Sequence, residues 1–230
     1  MDIKNNKSFL NEVVTVLKNI ENTVPANRTA FKNGFSFTNL SFEEQLSIWD
    51  YIWNNGEDMR TKLQAYLFVE KHIVNPKLHL VIWEKVMPWQ QKVTEWSMCD
   101  ALAKIYTKIV ETHTEIVYEQ LKEWNHSQNL FNRRQSVVSL LYFSRTKKNY
   151  LPFSKIIIFV FPLLADKEYY VQKGVGWCLK ELINVYKEET MDFIKKNINI
   201  ISPIAFTIAI EKINSDEKEF LKQIRNWRKQ

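Results

Sequence analysis

Apolar residues recur every three or four positions through nearly the whole 230-residue chain, in about a dozen segments separated by short polar breaks. That spacing places the apolar side chains of each segment on one helical face. The breaks fall near Asn75-Pro76, Pro88, Asn125 to Ser127, Asn149 to Pro152, Asp166-Lys167 and Asn214-Ser215. Two helix starts carry their own chemistry. Ser41 and Glu44 form a capping-box pair, and Ser202-Pro203 puts proline at the first helical position, where its missing amide does no harm. Intervals of roughly 25 to 45 residues between major breaks suit helix pairs stacked as a solenoid, although no strict repeat is visible. The pattern predicts an all-α protein, one continuous domain over residues 1–230 with residues 1–26 as an N-terminal cap.

Composition supports helices over sheets. Four glycines and six prolines leave little turn chemistry for the tight connections of a sheet, and 45% apolar content argues against disorder. The apolar run from Ile156 to Ala165 contains Pro162 and is too short to span a bilayer, so it reads as a buried helix and no membrane association is expected. The N-terminal MDIKNNKSFL has neither a long apolar core nor a small-residue cleavage site. With Cys99 and Cys178 lacking metal-ligand spacing, a reduced, cytoplasmic chain is expected.

Charge changes the picture more by its distribution than by its total. The net charge is +6, and the acid-free stretch from Trp124 to Ala165 holds Arg133, Arg134, Arg145, Lys147, Lys148 and Lys155. That stretch points to a polyanionic partner or to a solvated basic surface. His72, His79, His113 and His126 are scattered without zincin spacing, and no glycine-rich phosphate loop exists. Conventional hydrolase, kinase and dinucleotide-binding chemistry finds no support, and neither a metal nor a cofactor is expected.

Helical phase isolates a small set of other candidates. Between Val93 and Ile109, the stripe Met98, Leu102, Ile105, Ile109 leaves Trp96, Asp100 and Thr107 on the opposite side. Between Glu168 and Tyr186, the stripe Val171, Val175, Leu179, Leu182, Tyr186 leaves Tyr170, Lys173, Trp177 and Lys180 facing away. Both tryptophans could border a binding surface or lie buried between helices. Arg134 falls inside the apolar stripe Leu130, Val137, Leu141, so its guanidinium needs a carboxylate such as Asp100, a phosphate, or both.

At these residues the chain resembles the DNA alkylation repair family of AlkD type. Val171-Gln-Lys-Gly-Val-Gly-Trp177-Cys-Leu-Lys-Glu181 is similar to the family's QKxxGWxLRE signature, and Trp96-Ser-Met-Cys-Asp100 to its W-x-x-x-D element. Arg134 resembles the arginine that opens the next apolar helix, and Lys32-Asn33 with Phe35 and Phe37 the N-terminal K-N-x-F-x-F element. The resemblance covers roughly residues 27 to 215. It implies a right-handed superhelical stack of HEAT-like repeats whose basic concave face holds duplex DNA containing alkylated bases. The implied activity is hydrolysis of the N-glycosidic bond of N3- or N7-alkylated purines by a monomer that associates with the nucleoid when DNA-bound.

Carried over residue by residue, the resemblance makes Asp100 the carboxylate that stabilises the sugar cation and orients water. Trp96 and Trp177 would pack beside the lesion, and Arg134 would hold a phosphate. Lys32, Arg133, Arg145, Lys147, Lys148 and Lys173 would contact DNA. Two positions depart from the family: Ala30 stands where a tyrosine is common, and Glu95 where an aromatic often precedes the tryptophan. Ile201 to Phe206 matches the family's C-terminal small-residue helix only loosely. A DNA-binding protein without excision, for distorted or branched duplexes, and a HEAT-like scaffold for an acidic protein are the alternatives.

Overall fold

The computed structural model describes residues 3–227, with side chains described for residues 5–226. Among the described residues thirteen α-helices follow one another: α1 (Ile3–Lys18), α2 (Val24–Asn33), α3 (Phe42–Asn55), α4 (Met59–His72), α5 (His79–Val86), α6 (Trp96–Thr112), α7 (Thr114–Asn125), α8 (Leu130–Leu141), α9 (Phe153–Val160), α10 (Tyr169–Val185), α11 (Lys187–Lys196), α12 (Pro203–Ala209) and α13 (Ser215–Trp227). No strand occurs among the described residues. None of their helices is long and apolar enough to cross a membrane.

Both sequence-readable starts form as expected. Ser41 and Glu44 exchange side-chain-to-backbone hydrogen bonds at the start of α3, and the Ser202 hydroxyl accepts from the Ala205 amide at the start of α12. The run from Ile156 to Ala165 differs from expectation. It is helical only to Val160 and continues as a 3₁₀ turn over Phe161–Leu163, because Pro162 cannot sustain the helical ladder. Ile158 and Phe161 on its outer side are exposed, so it is buried on one face only.

The chain divides into two compact units, residues 1–92 and 93–230. In the first, α3 and α4 pack together around an aromatic core. Trp49 meets Phe35 and Phe37 edge-on at 5.5 and 5.0 Å between centroids. Trp53 stacks on Trp89 at 4.4 Å, with the Trp89 indole N–H donating to Asp50 at 2.8 Å. Phe35 and Phe37 enter this core because Gly34 ends α2 at φ 82°, a left-handed conformation that turns the chain inward. Part of the K-N-x-F-x-F element is therefore a core anchor.

In the second unit alternate helices form a row: α6 packs on α8, α8 on α10, and α10 on α12. Helices α7, α9 and α11 back this row, α7 against α6 and α8, α9 against α8 and α10, and α11 against α10. Such a row sets corresponding faces of successive pairs side by side, as helical repeats do. Two glycines of α10 make the spacing possible. A Cβ on Gly176 would lie 2.8 Å from the Ala205 carbonyl oxygen and from Ile208 Cβ, and one on Gly174 would lie 3.2 Å from Arg134 Cγ. Gly176→Ala should therefore lower stability by about 1–3 kcal/mol through overpacking, against the gain of up to ~1 kcal/mol expected for glycine to alanine in an uncrowded helix. Chemical denaturation of the variant checks this; a more stable Gly176→Ala would show that α12 yields freely.

Candidate nucleic-acid site

The row α6, α8, α10 delivers Asp100, Arg134 and Trp177 from three successive helices. Arg134 is 4% exposed and spends its guanidinium inside the protein. Nη2 and Nε donate to the same oxygen of Asp100, Oδ1, at 2.7 and 3.1 Å, and Nη1 donates to the Tyr170 carbonyl at 2.8 Å. Asp100 is thus the carboxylate partner expected for Arg134. The contact is end-on, so Asp100 Oδ2 takes no part in it. The Asp100 side chain remains 19% exposed.

Burial pushes the Asp100 carboxyl above the ordinary aspartate range, with Arg134 and then Lys173 pulling the other way. The direction follows because desolvation of a carboxylate outweighs one buried partner. The influence of Lys173 also places its ammonium in the field of Asp100. Lys173 itself is exposed, 5.3 Å above the Tyr169 ring.

Trp96 stands one helical turn before Asp100 and is 49% exposed. Trp177 is partly exposed and packs at 5.4 Å on Tyr142 and 5.3 Å on Phe143. The reading in which both rings lie enclosed between repeats is thus not met. Tyr142 caps α8 with φ 44°, a left-handed position that a tyrosine occupies only under constraint from its surroundings. The constraint is visible next door. Glu181, buried on α10, accepts from the Ser144 amide at 2.8 Å and the Ser144 hydroxyl at 2.6 Å, anchoring the turn that follows Phe143. The rings of Tyr142 and Phe143 escaped the sequence reading because they follow a helix end and have no periodicity. Glu181 was visible as the last residue of the α10 signature, but not what it holds.

The same signature has other structural duties. Gln172 donates to the carbonyls of Leu163 and Asp166, fastening the preceding turn, and Lys180 pairs with Glu211 at 2.9 Å. Thr107, placed by phase beside Trp96 and Asp100, is instead buried. Cys99 and Cys178 are buried too; burial raises both thiols, that of Cys178 to about 12, which disfavours the thiolate.

The acid-free stretch is less basic in space than in sequence. Arg133 pairs with Asp166 at 2.6 Å and donates to the Ser127 and Gln128 carbonyls. Lys155 lies 3.8 Å from Glu115. Lys147, expected to meet DNA, is turned inward instead: its side chain is 1% exposed, with Nζ donating to Thr107 Oγ1 and the Thr107 carbonyl and lying 3.6 Å from Glu111. The 3₁₀ turn Ser144–Thr146 folds the chain back over α6, which the linear charge pattern does not show. Arg145 and Lys148 remain exposed without a carboxylate partner among the described residues, Arg145 lying 5.4 Å over the Phe143 ring. Lys32 is exposed in the first unit. Ala30 is buried there, and Glu95 is exposed at the N-terminus of α6, accepting from the Ser97 hydroxyl.

An all-helical, repeat-built scaffold with one carboxylate among aromatic rings agrees with what the chain is similar to. Among solved structures it matches a predicted DNA alkylation repair enzyme from Enterococcus faecalis, with TM-score 0.65 and 14% identity over 84% of this chain and 87% of that one. It also matches the crystal structure of AlkD2 from Streptococcus mutans, with TM-score 0.61 and 16% identity over 91% of this chain and all of that one. At such identities the likeness establishes the fold. No curated protein matches the chain significantly. The sequence profile described as DNA alkylation repair enzyme matches residues 13–213, and the chain belongs to that family.

Two outcomes follow from the ion pairs. Arg134→Met should cost on the order of 3 kcal/mol by leaving Asp100 half-buried without its counter-charge, and adding Asp100→Asn should recover part of that loss in a double-mutant cycle; independent additive losses would mean the pair is not coupled. Burial lowers the Lys147 ammonium from 10.5 to about 8, so between those values the unfolded chain holds a proton that the folded chain has lost. Stability should then rise with pH across that window, and Lys147→Met should flatten the rise. Identical pH profiles for the two proteins would contradict the burial of Lys147.

Proposed function

We propose that the second unit excises N3- or N7-alkylated purines from duplex DNA, with Asp100 as the catalytic carboxylate. The observation that carries this reading is the end-on Arg134–Asp100 contact: one carboxylate oxygen is held, the other is left unbonded, and exposed Trp96 stands one turn away.

An alkylated purine already carries positive charge, so the glycosidic electron pair leaves with the base and neutralises it without a general acid. Positive charge then develops on the deoxyribose. A carboxylate fixed close by stabilises that charge and can accept a hydrogen bond from the water that attacks C1′. Ring faces of Trp96 and Trp177 attract the same cation and exclude bulk water from one side. Arg134 acts through Asp100, setting its orientation rather than touching DNA. Exposed Lys173, Arg145 and Lys148 are suited to phosphates, with Lys32 a further candidate on the first unit. Arg133 and Lys147 drop out as direct contacts because their charges are engaged within the fold.

Binding of distorted or branched duplex without excision is the second reading, favoured by Glu95, which adds an exposed carboxylate beside Trp96 where an aromatic is common in the family. Incubation with duplex containing 7-methylguanine separates the two. The wild type should release free base, and Asp100→Asn should release none above background while retaining duplex affinity within about threefold. Equal release by both proteins removes Asp100 from the chemistry; salt-sensitive binding without release by the wild type supports the second reading.

The pH profile gives an independent check. Excision needs the ionised carboxylate, so the rate should fall with acidity through a limb above the ordinary aspartate range. Lys173→Met removes a charge that favours ionisation and should move the limb to still higher pH. A limb that stays put would take Lys173 out of the field of Asp100.

A further inference from the structure

The connection between α8 and α9 contains one 3₁₀ turn, Ser144–Thr146, and is tied down more firmly than so irregular a segment requires. Its burial follows a three-residue step. Ser144 and Lys147 are buried, whereas Arg145 and Lys148 are exposed. Three residues is the repeat of a 3₁₀ turn, so one side of the segment meets the protein and the other meets solvent. Each buried member is tied to a different helix. Ser144 gives its amide and hydroxyl to Glu181 of α10 at 2.8 and 2.6 Å. Lys147 donates to Thr107 of α6, at 2.9 Å to Oγ1 and 3.1 Å to the carbonyl. Two further bonds close the α6 side: Lys108 Nζ donates to the Thr146 carbonyl at 2.9 Å, and the Lys148 amide donates to Glu111 at 3.2 Å.

The choice of a lysine here is the informative feature. Burying an ammonium costs free energy, and an apolar side chain of similar length would pack against α6 without that cost. What the ammonium adds is direction. Its bonds to Thr107 and its approach to Glu111, 3.6 Å away, hold the segment in one register, which apolar contact alone leaves loose. The two helices joined in this way are those that carry Asp100 and Trp177. Thr107 lies about two helical turns beyond Asp100, ~10 Å along the axis and on the same face of α6. Glu181 lies one turn beyond Trp177 on α10. The outer side of the segment, with Arg145 over the exposed Phe143 ring and Lys148 beyond it, is therefore fixed beside the candidate site.

We infer that Lys147 is a positioning residue for nucleic-acid binding, holding residues 144–148 on α6 so that Arg145 and Lys148 meet phosphates of a strand that passes Asp100. Lys147 touches no phosphate itself, its side chain being 1% exposed. The segment is ordered on folding rather than on binding, which is how a preorganised surface gains affinity. The inference rests on the nucleic-acid reading above and not on excision.

The test measures binding of a short, undamaged, fluorescein-labelled duplex by anisotropy across a range of KCl concentrations. Lys147→Met is compared in two backgrounds, the wild type and Arg145→Ala/Lys148→Ala. The double substitution should lower the slope of log affinity against log salt by about two, since two phosphate contacts are lost. Lys147→Met alone should weaken binding by about tenfold and lower the slope by about one. It should cost nothing further once Arg145 and Lys148 are gone, because it acts only through them. If Lys147→Met does not fold, Thr107→Val, which removes only the hydroxyl acceptor, should show a smaller loss with the same dependence on background. Wild-type affinity and slope in whichever variant is folded overturn the proposal. An equal loss in both backgrounds also overturns it, since Lys147 then acts through net charge or the fold as a whole. A background-dependent loss in a protein that releases no base supports the positioning role while removing excision. Absence of duplex binding by the wild type overturns both.

Discussion

Arg134 is the constraint around which the second unit is organised. A guanidinium cannot sit in the middle of an apolar helical stripe without its charge and its donors being met. Asp100 meets the charge from α6, and the Tyr170 carbonyl meets a remaining donor from α10. Three helices are thereby tied at one point by charge-assisted bonds whose geometry allows little drift. Without Arg134 the carboxylate would be half-buried, with burial already raising its pKa, and would tend toward the neutral form. The ion pair thus keeps a partly desolvated carboxylate charged and aimed, which is the condition for it to act on a developing cation.

The α10 signature is best understood as the assembly code for that point. Gly174 gives Arg134 room to lie across the α8–α10 interface, and Gly176 lets α12 approach the other side. Gln172 ties down the turn before the helix, while Glu181 ties down the turn after α8 and so fixes Tyr142 and Phe143 against Trp177. One helix therefore positions parts of the site contributed by residues more than thirty positions away in sequence. Its one strongly exposed polar member, Lys173, faces outward beside Asp100.

Helices, their starts and the need of Arg134 for a partner were legible because each depends on local spacing or on a cost that burial imposes anywhere. Ser41 with Glu44, Ser202 with Pro203, and the buried stripe Met98, Leu102, Ile105, Ile109 all came through. What was not legible depends on long-range return of the chain. Lys147 sits in a basic run yet lies against Thr107 because a short turn brings it back over α6. Arg133 meets Asp166, which lies beyond the acid-free stretch. Tyr142 and Phe143 owe their place to a left-handed residue that no pattern of apolar positions encodes. The basic character that suggested a polyanion is consequently carried by fewer residues than the sequence lists, chiefly Arg145 and Lys148 around the turn after α8.

Membership of the DNA alkylation repair family and the all-helical fold set the frame. Within it, we propose that Arg134 serves catalysis by holding Asp100 charged. The most direct measurement is single-turnover base release across pH for wild type and Arg134→Gln, with the folded state of the variant verified by circular dichroism. A charge-holding role for Arg134 requires slower release at neutral pH and an acid limb displaced to higher pH in the variant, because the carboxylate has lost the charge that opposes its desolvation. Equal rates with coincident limbs would contradict it.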